Sequence, residues 1–288
     1  MDLVALMGKK RQIIEAALLR YLPDQEHGLT KAIRYSLFAG GKRLRPILAL
    51  LSYEAVGGTE KGEILPVACA LEYVHTFTLI HDDLPSMDDD DYRRGKPSSH
   101  KAFGEGMAVL AGDALMIDGM GLMARSTASP DLIKRALLEF SETLGGCGVT
   151  KGQADDLYGK RRDPQFLRHV HLRKTALFIA FSIRVGGLIG GADDELLDKL
   201  YWGGVLAGMG FQVCDDILDI TSSREELGKT PGKDEDSSKL TYPSLYGLKR
   251  SEKIAVSYAD RANAVFEILG SEWEKLAGLT SYLVRRRR

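Results

Sequence analysis

The 288-residue chain carries 39 lysines and arginines against 40 aspartates and glutamates, so it lacks the net basic surface that general nucleic-acid binding requires. With 44% hydrophobic and 27% charged residues it can bury a core of its own, which excludes the disordered and low-complexity classes. Cys69, Cys147 and Cys214 are too scattered for a disulfide framework or a thiolate metal site and read as reduced packing residues.

The N-terminal Met-Asp-Leu-Val-Ala-Leu-Met lacks the cationic start of a secretory signal, and no unbroken run of about 18 apolar residues follows, so the expectation is a cytoplasmic chain with no membrane span. Apolar residues recur at helical spacing nearly throughout, and alternating strand patterns are hard to find. Helices are predicted over 3–21, 29–38, 46–56, 64–82, 107–126, 131–144, 172–187, 194–220, 243–249, 252–269 and 272–284. Ser129-Pro130-Asp131 marks one start firmly, with an N-cap, a first-turn proline and an acid at the positive helix end. The fold class is therefore all-α, a single domain over 1–288 in which helices bundle around a site at their core. Polar, Gly/Pro-bearing stretches at about 84–106 and 222–242 break the pattern, and each follows an aspartate cluster.

Those clusters are Asp82-Asp83-Leu84-Pro85-Ser86-Met87-Asp88-Asp89-Asp90-Asp91 and Asp215-Asp216-Ile217-Leu218-Asp219. Asp215 and Asp219 lie four apart on a helix, on one face, and can share a hard cation such as magnesium, which prefers a few carboxylates plus water and phosphate oxygens. Pro85 disfavours helix at Leu84, so Asp82 ends a helix and Asp88 returns from a loop. Each cluster alone reads equally as a solvated acidic face. Two together repel unless a cation neutralises them. Basic residues crowd at 42–45, 93–96 and 285–288, a segregation suited to holding metal and a polyanion together.

The run from Glu72 through His81 and the first cluster to Gly95, with Phe211-Gln212-Val213-Cys214 leading into the second, resembles the trans-type (head-to-tail) isoprenyl diphosphate synthases, most nearly the bacterial farnesyl type and next the geranylgeranyl type. Gly40-Gly41-Lys42-Arg43-Leu44-Arg45-Pro46, Ala111-Gly112-Asp113, Gly152-Gln153-Ala154-Asp155, Lys174-Thr175, Gly228-Lys229 and Lys239-Leu240-Thr241-Tyr242-Pro243 match further motifs of that family in order. The resemblance implies an isoprenoid-synthase bundle around a central cavity, about three Mg2+ ions with Mn2+ as a possible substitute, and a homodimer. Metal ligands would be Asp82, Asp88, Asp215 and Asp219, with Asp83, Asp216 and Lys174 also in the catalytic set. Arg93, Lys174, Thr175, Gln212, Lys229 and Lys239 would face the allylic diphosphate. Lys42, Arg45, His75 and Arg94 would face isopentenyl diphosphate.

Plainer readings stand beside these. Arg93 and Arg94 neutralise neighbouring aspartates, and His75 is a hydrogen-bonded core histidine. Gly203, Gly204, Gly208 and Gly210 let helices approach, or leave room for an isoprenoid tail. By the resemblance, the chemistry is ionisation, condensation and elimination, and Phe77, five residues before Asp82, floors a short pocket and selects a fifteen-carbon product over a twenty-carbon one. The alternatives in other classes are a terpene cyclase and a non-catalytic prenyltransferase subunit. Two features depart from the family pattern: Ala176 stands where glycine is common after Lys174-Thr175, and the Arg285 to Arg288 tail is longer than a usual family ending.

Overall fold

The computed structural model describes residues 2–22, 26–221 and 240–285. Lys229, Lys239 and most of the terminal arginine run fall outside them.

Helical spacing in the sequence becomes helix in the fold. In order come α1 (Leu3–Tyr21), α2 (Gly28–Leu37), α3 (Leu44–Ala55) and α4 (Lys61–Asp82). A two-residue antiparallel hairpin, β1 (Tyr92–Arg93) with β2 (Lys96–Pro97), leads to α5 (Ser99–Phe103), α6 (Glu105–Ala124) and α7 (Pro130–Leu144). Next are α8 (Val149–Tyr158), α9 (Pro164–His171), a π-helical turn (Leu172–Ala176) and α10 (Leu177–Ile189). The described chain closes with α11 (Asp194–Thr221), α12 (Tyr242–Tyr246), α13 (Leu248–Ile268), a 3-10 turn (Ser271–Trp273) and α14 (Glu274–Arg285).

The all-α expectation holds, and the start at Ser129-Pro130 is where the sequence puts it, with the Ser129 hydroxyl accepting from the Leu132 N–H. Three pieces differ from expectation. The stretch expected as loop over 84–106 contains the hairpin and α5, and α8 and α9 lie where no helix is predicted. Polar Gln153, Asp155 and Asp156 interrupt the apolar stripe of α8. The start of α9 nonetheless carries the same signal as α7: Asp163 accepts from the Phe166 N–H at 2.9 Å and Pro164 occupies the first turn.

The core forms where α4 packs against α3 and α6, and α10 packs against α3, α7 and α11. The two aspartate-bearing helices, α4 and α11, thus lie inside the bundle. Glycine sets the α10–α11 spacing: a Cβ at Gly204 would sit 2.6 Å from the Ala180 Cα, and one at Gly208 would sit 2.5 Å from the Ala176 Cα. Gly203 and Gly210 face the side chains of Phe266 and Val284, at 2.7 and 3.0 Å. All four glycines are therefore packing positions. Ala176 is small enough to keep the seam closed opposite Gly208.

By length and composition α4 and α6 each qualify as long and apolar enough to cross a membrane, although neither is an unbroken apolar run. Burial of α4 within the core accounts for its composition. By contrast, α6 turns Val109, Leu110, Ile117 and Met120 outward.

A buried ion pair ties α3 to α4. Arg43 adopts a left-handed backbone (φ 52°) and donates from Nη1 to Glu72 at 2.8 Å and from Nη2 to the Leu37 carbonyl at 2.8 Å, with both side chains 1% exposed. Removing Glu72 leaves the buried Arg43 facing the more distant Glu15, at 3.6 Å. Glu72→Ala is expected to lower stability by about 3–5 kcal/mol in chemical unfolding.

Candidate active site

The first aspartate cluster is built by a helix end and the chain that folds back over it. The Asp88 N–H donates to the Asp82 carbonyl at 2.9 Å, the Asp89 N–H to Leu84 at 3.1 Å and the Asp90 N–H to Asp83 at 3.2 Å. Asp88 therefore returns beside Asp82 from the turn that Pro85 opens. The two side chains of Asp82 and Asp83 then diverge in use. Asp83 is buried and accepts from Arg93 Nε at 2.9 Å and from Arg93 Nη2, which also reaches Asp90 at 3.1 Å. This brace fixes the hairpin against α4, and it places Arg93 among acids of its own loop. Burial raises the Asp82 carboxyl to about 6; Lys174 opposes the shift and Asp88 adds to it.

Lys174 joins the cluster from the π turn. Its ammonium donates to Asp156 Oδ2 at 2.7 Å. Burial works against its charge, but Asp156, Asp82 and Asp88 together outweigh that and hold it protonated well above the ordinary lysine range. A wider turn of this kind redirects side chains within an otherwise continuous helix and recurs at functional sites. Gly152 permits the close approach of α8 that this requires, since a Cβ there would lie 2.4 Å from the Lys174 backbone nitrogen.

On α11, Asp215 and Asp219 are four residues apart, and Asp219 is buried. Asp216 is an anchor: Oδ1 accepts from Gln212 Nε2 at 3.2 Å, Oδ2 accepts from the Tyr242 N–H at 2.9 Å, and His171 Nε2 lies 3.5 Å from it. Burial lowers His171 to about 3, so the imidazole is neutral. Thr175 donates to Gln212 Oε1 at 2.6 Å, which links the π turn to α11.

The predicted isopentenyl side gathers on α3, α4 and the hairpin. Arg45 lies with its guanidinium 4.7 Å over the Phe178 ring, and burial lowers its pKa to about 10 against the pull of Glu72 and Asp215. Arg94, also left-handed (φ 54°), donates to the Gly40 carbonyl and fills the space a Cβ on Gly41 would need. His75 is held neutral by burial and by Arg45, Arg94, Arg93 and Arg43 around it. Lys42 is exposed at the loop's edge. Phe77 is half-buried and meets the His81 ring edge-on at 5.0 Å.

The structure thus brings Asp82, Asp88 and Lys174 together, and Arg45 within the field of Asp215. Asp156, Glu72, Asp90 and His171 were given no role from sequence. The signal available for Asp156 was its position beside Asp155, on the polar segment that follows Gly152-Gln153. The donor set suits a hard divalent cation: Asp82, Asp88, Asp215 and Asp219 offer oxygen alone, and the burial of Asp82 favours a nearby positive charge. Among the described residues, Asp89, Asp91 and His100 also have ligand atoms within 4.8 Å of one another, but Asp91 already pairs with Lys101 at 2.8 Å and His100 Nδ1 lies 3.1 Å from the Ser98 hydroxyl. Carboxylates, a protonated lysine and a second cationic group brought near one another can hold two polyanions and stabilise charge on one of them as it departs.

Residues 26–269 match the family model described as Polyprenyl synthetase. The chain is 43% identical to Geranylgeranyl pyrophosphate synthase 11, chloroplastic, of Arabidopsis thaliana, over 99% of this chain and 82% of that one. It is 40% identical to a Dimethylallyltranstransferase of Fischerella ambigua, over 97% of this chain and 82% of that one. Among solved structures, a geranyltransferase from Helicobacter pylori complexed with magnesium and isoprenyl diphosphate superposes with a TM-score of 0.88 at 31% identity, covering 99% of this chain and 97% of the other. An FPP/GFPP synthase from Zymomonas mobilis superposes with a TM-score of 0.86 at 30% identity, covering 98% and 99%.

The division of labour on α11 is open to test. Asp216→Ala strands the buried Tyr242 N–H and is expected to cost about 1–3 kcal/mol in thermal unfolding. Asp215→Ala, which leaves that N–H its acceptor, is expected to lower the melting temperature less than Asp216→Ala does and to abolish turnover. Equal melting temperatures for the two variants would count against the anchor role.

Proposed function

Because the chain belongs to the polyprenyl synthetase family and is a prenyl diphosphate synthase, a transferase, we propose that it condenses isopentenyl diphosphate head-to-tail with dimethylallyl and geranyl diphosphates, depends on Mg2+, and releases farnesyl diphosphate. Asp82, Asp88, Asp215 and Asp219 would hold magnesium, which when bound neutralises charge on the departing diphosphate. Lys174 does the same from the protein side: Asp156 keeps it protonated and aims it at Asp82 and Asp88, where leaving-group charge develops. Arg45 and Arg94, with the neutral His75 near both, receive the second diphosphate, since guanidinium forks match phosphate oxygens in pairs. With Lys42 they form a second anion site, and a terpene cyclase has no use for one. A non-catalytic subunit would be expected to have lost ligands that are all present here.

The observation that carries the fifteen-carbon product is Phe77. It lies five residues before Asp82, about 7.5 Å along the helix, and its ring is braced edge-on by His81. A rigid aromatic ring there would limit how far a growing chain can extend past the aspartates. The second reading, a twenty-carbon product, draws on relatives such as the Arabidopsis protein that carry geranylgeranyl in their names. Phe77→Ala is expected to shift the product from fifteen carbons to twenty or more with isopentenyl and geranyl diphosphates, read by chromatography of the dephosphorylated alcohols. An unchanged product distribution would refute the floor, while failure to condense with any starter would refute the function itself.

We also propose a homodimer. Val109, Leu110, Ile117 and Met120 form an apolar face on α6 that water covers poorly, and a second copy offers the same face in return. Ile117→Glu is expected to take the species measured by light scattering from twice 31.7 kDa to 31.7 kDa.

A further inference from the structure

Where α9, α12 and α13 meet, they line a cleft of about 470 Å³, whose floor residue Tyr242 is tied to Asp216 through its backbone N–H. That size falls within the range of small-molecule sites. Among the described residues its lining contains four cations, Arg168, Arg250, Lys253 and Arg261, and no acid. Arg250, Lys253 and Arg261 follow one face of α13 at i, i+3 and i+11, and Arg168 comes across from α9. All four are exposed, and together they give the concavity a positive potential that attracts an anion.

The wall beside these cations is aromatic. Tyr242 forms the buried floor and shares a hydrogen bond with Tyr258, and the Tyr246 ring lies 5.7 Å from that of Tyr242. The rings also seat the charges: the Arg250 guanidinium lies 4.9 Å over Tyr246 and that of Arg261 lies 6.0 Å over Tyr258. Guanidinium groups presented this way offer paired donors to phosphate oxygens, and the tyrosines offer flat, partly apolar contact beside them.

We propose that this cleft is a second ligand site, separate from the reaction centre, that takes an organic diphosphate. The diphosphate lies among Arg168, Arg250, Lys253 and Arg261, and the organic body lies on the tyrosine wall. A single carboxylate or phosphate would leave part of the cation set unmatched, and inorganic diphosphate would leave the wall bare. The body is planar or aliphatic according to source, a nucleoside or a prenyl chain.

The test uses the full chain with a chelator in place of magnesium and three probes: ADP, farnesyl diphosphate and inorganic diphosphate. Hydrogen exchange over 242–258 is expected to slow with ADP, farnesyl diphosphate or both, and whichever binds more tightly identifies the body. Arg250→Ala/Lys253→Ala and, separately, Lys253→Glu are expected to remove that protection and weaken binding at least about tenfold, since each charge-assisted contact is strong. Their circular dichroism is expected to match the parent, because both side chains are exposed. No slowing over 242–258 with either organic probe would overturn the site. Slowing that survives both variants would overturn its assignment to these cations. Equal affinity for all three probes would overturn the organic body.

Discussion

The site is organised around one unfavourable fact, the burial of several carboxylates close together. Asp82 shows the cost most directly, since burial alone moves it toward the neutral form. The protein answers with fixed positive charge at short range. Lys174 stands among Asp156, Asp82 and Asp88, and the surrounding acids secure its own ionisation. Much of the local architecture serves that placement: a π turn aims the lysine, Gly152 lets α8 reach it, and the Gly208–Ala176 contact holds the turn to α11.

The same constraint sorts the aspartates into two kinds. Asp83 and Asp216 each sit beside a residue proposed to hold metal, yet both spend their oxygens on protein donors. Asp83 binds the hairpin through Arg93, and Asp216 binds the start of α12 through a backbone N–H. Clusters that look uniform in sequence thus contain unlike members, Asp83 and Asp216 being the ones that hold neighbouring segments in place. A buried acid satisfied by an N–H or a guanidinium stabilises its surroundings, whereas an acid kept for a cation leaves them under electrostatic strain.

Much of this was legible in the sequence, for physical reasons. Helical periodicity is a local signal, and it located most of the bundle; the break at Pro85 was likewise local, and Asp88 does return to Asp82. Partnerships across distant segments left no such mark. Nothing near Asp216 names Tyr242, whereas Arg93 does pair with preceding aspartates, Asp83 and Asp90, as one reading of its local sequence has it. Asp156 stayed hidden because its helix is short, polar and glycine-bearing, which erased the apolar stripe that makes helices visible. The resemblance to a known family supplied the substrate groups; the geometry supplied which residues brace others.

The π turn at Leu172–Ala176 has one more consequence, for how this segment can change over evolutionary time. The Leu177 N–H reaches back five residues to Leu172, so the turn absorbs one more residue than an ordinary helix would. Both flanks are pinned, α9 through buried Leu167 and Val170 and α10 through its glycine seam with α11. Losing that extra residue would rotate one flank against the other by about 100° and draw them about 1.5 Å together. Apart from Lys174 and Thr175, composition across Pro164–Ile189 is therefore free to drift within the limits of packing, while its length is not.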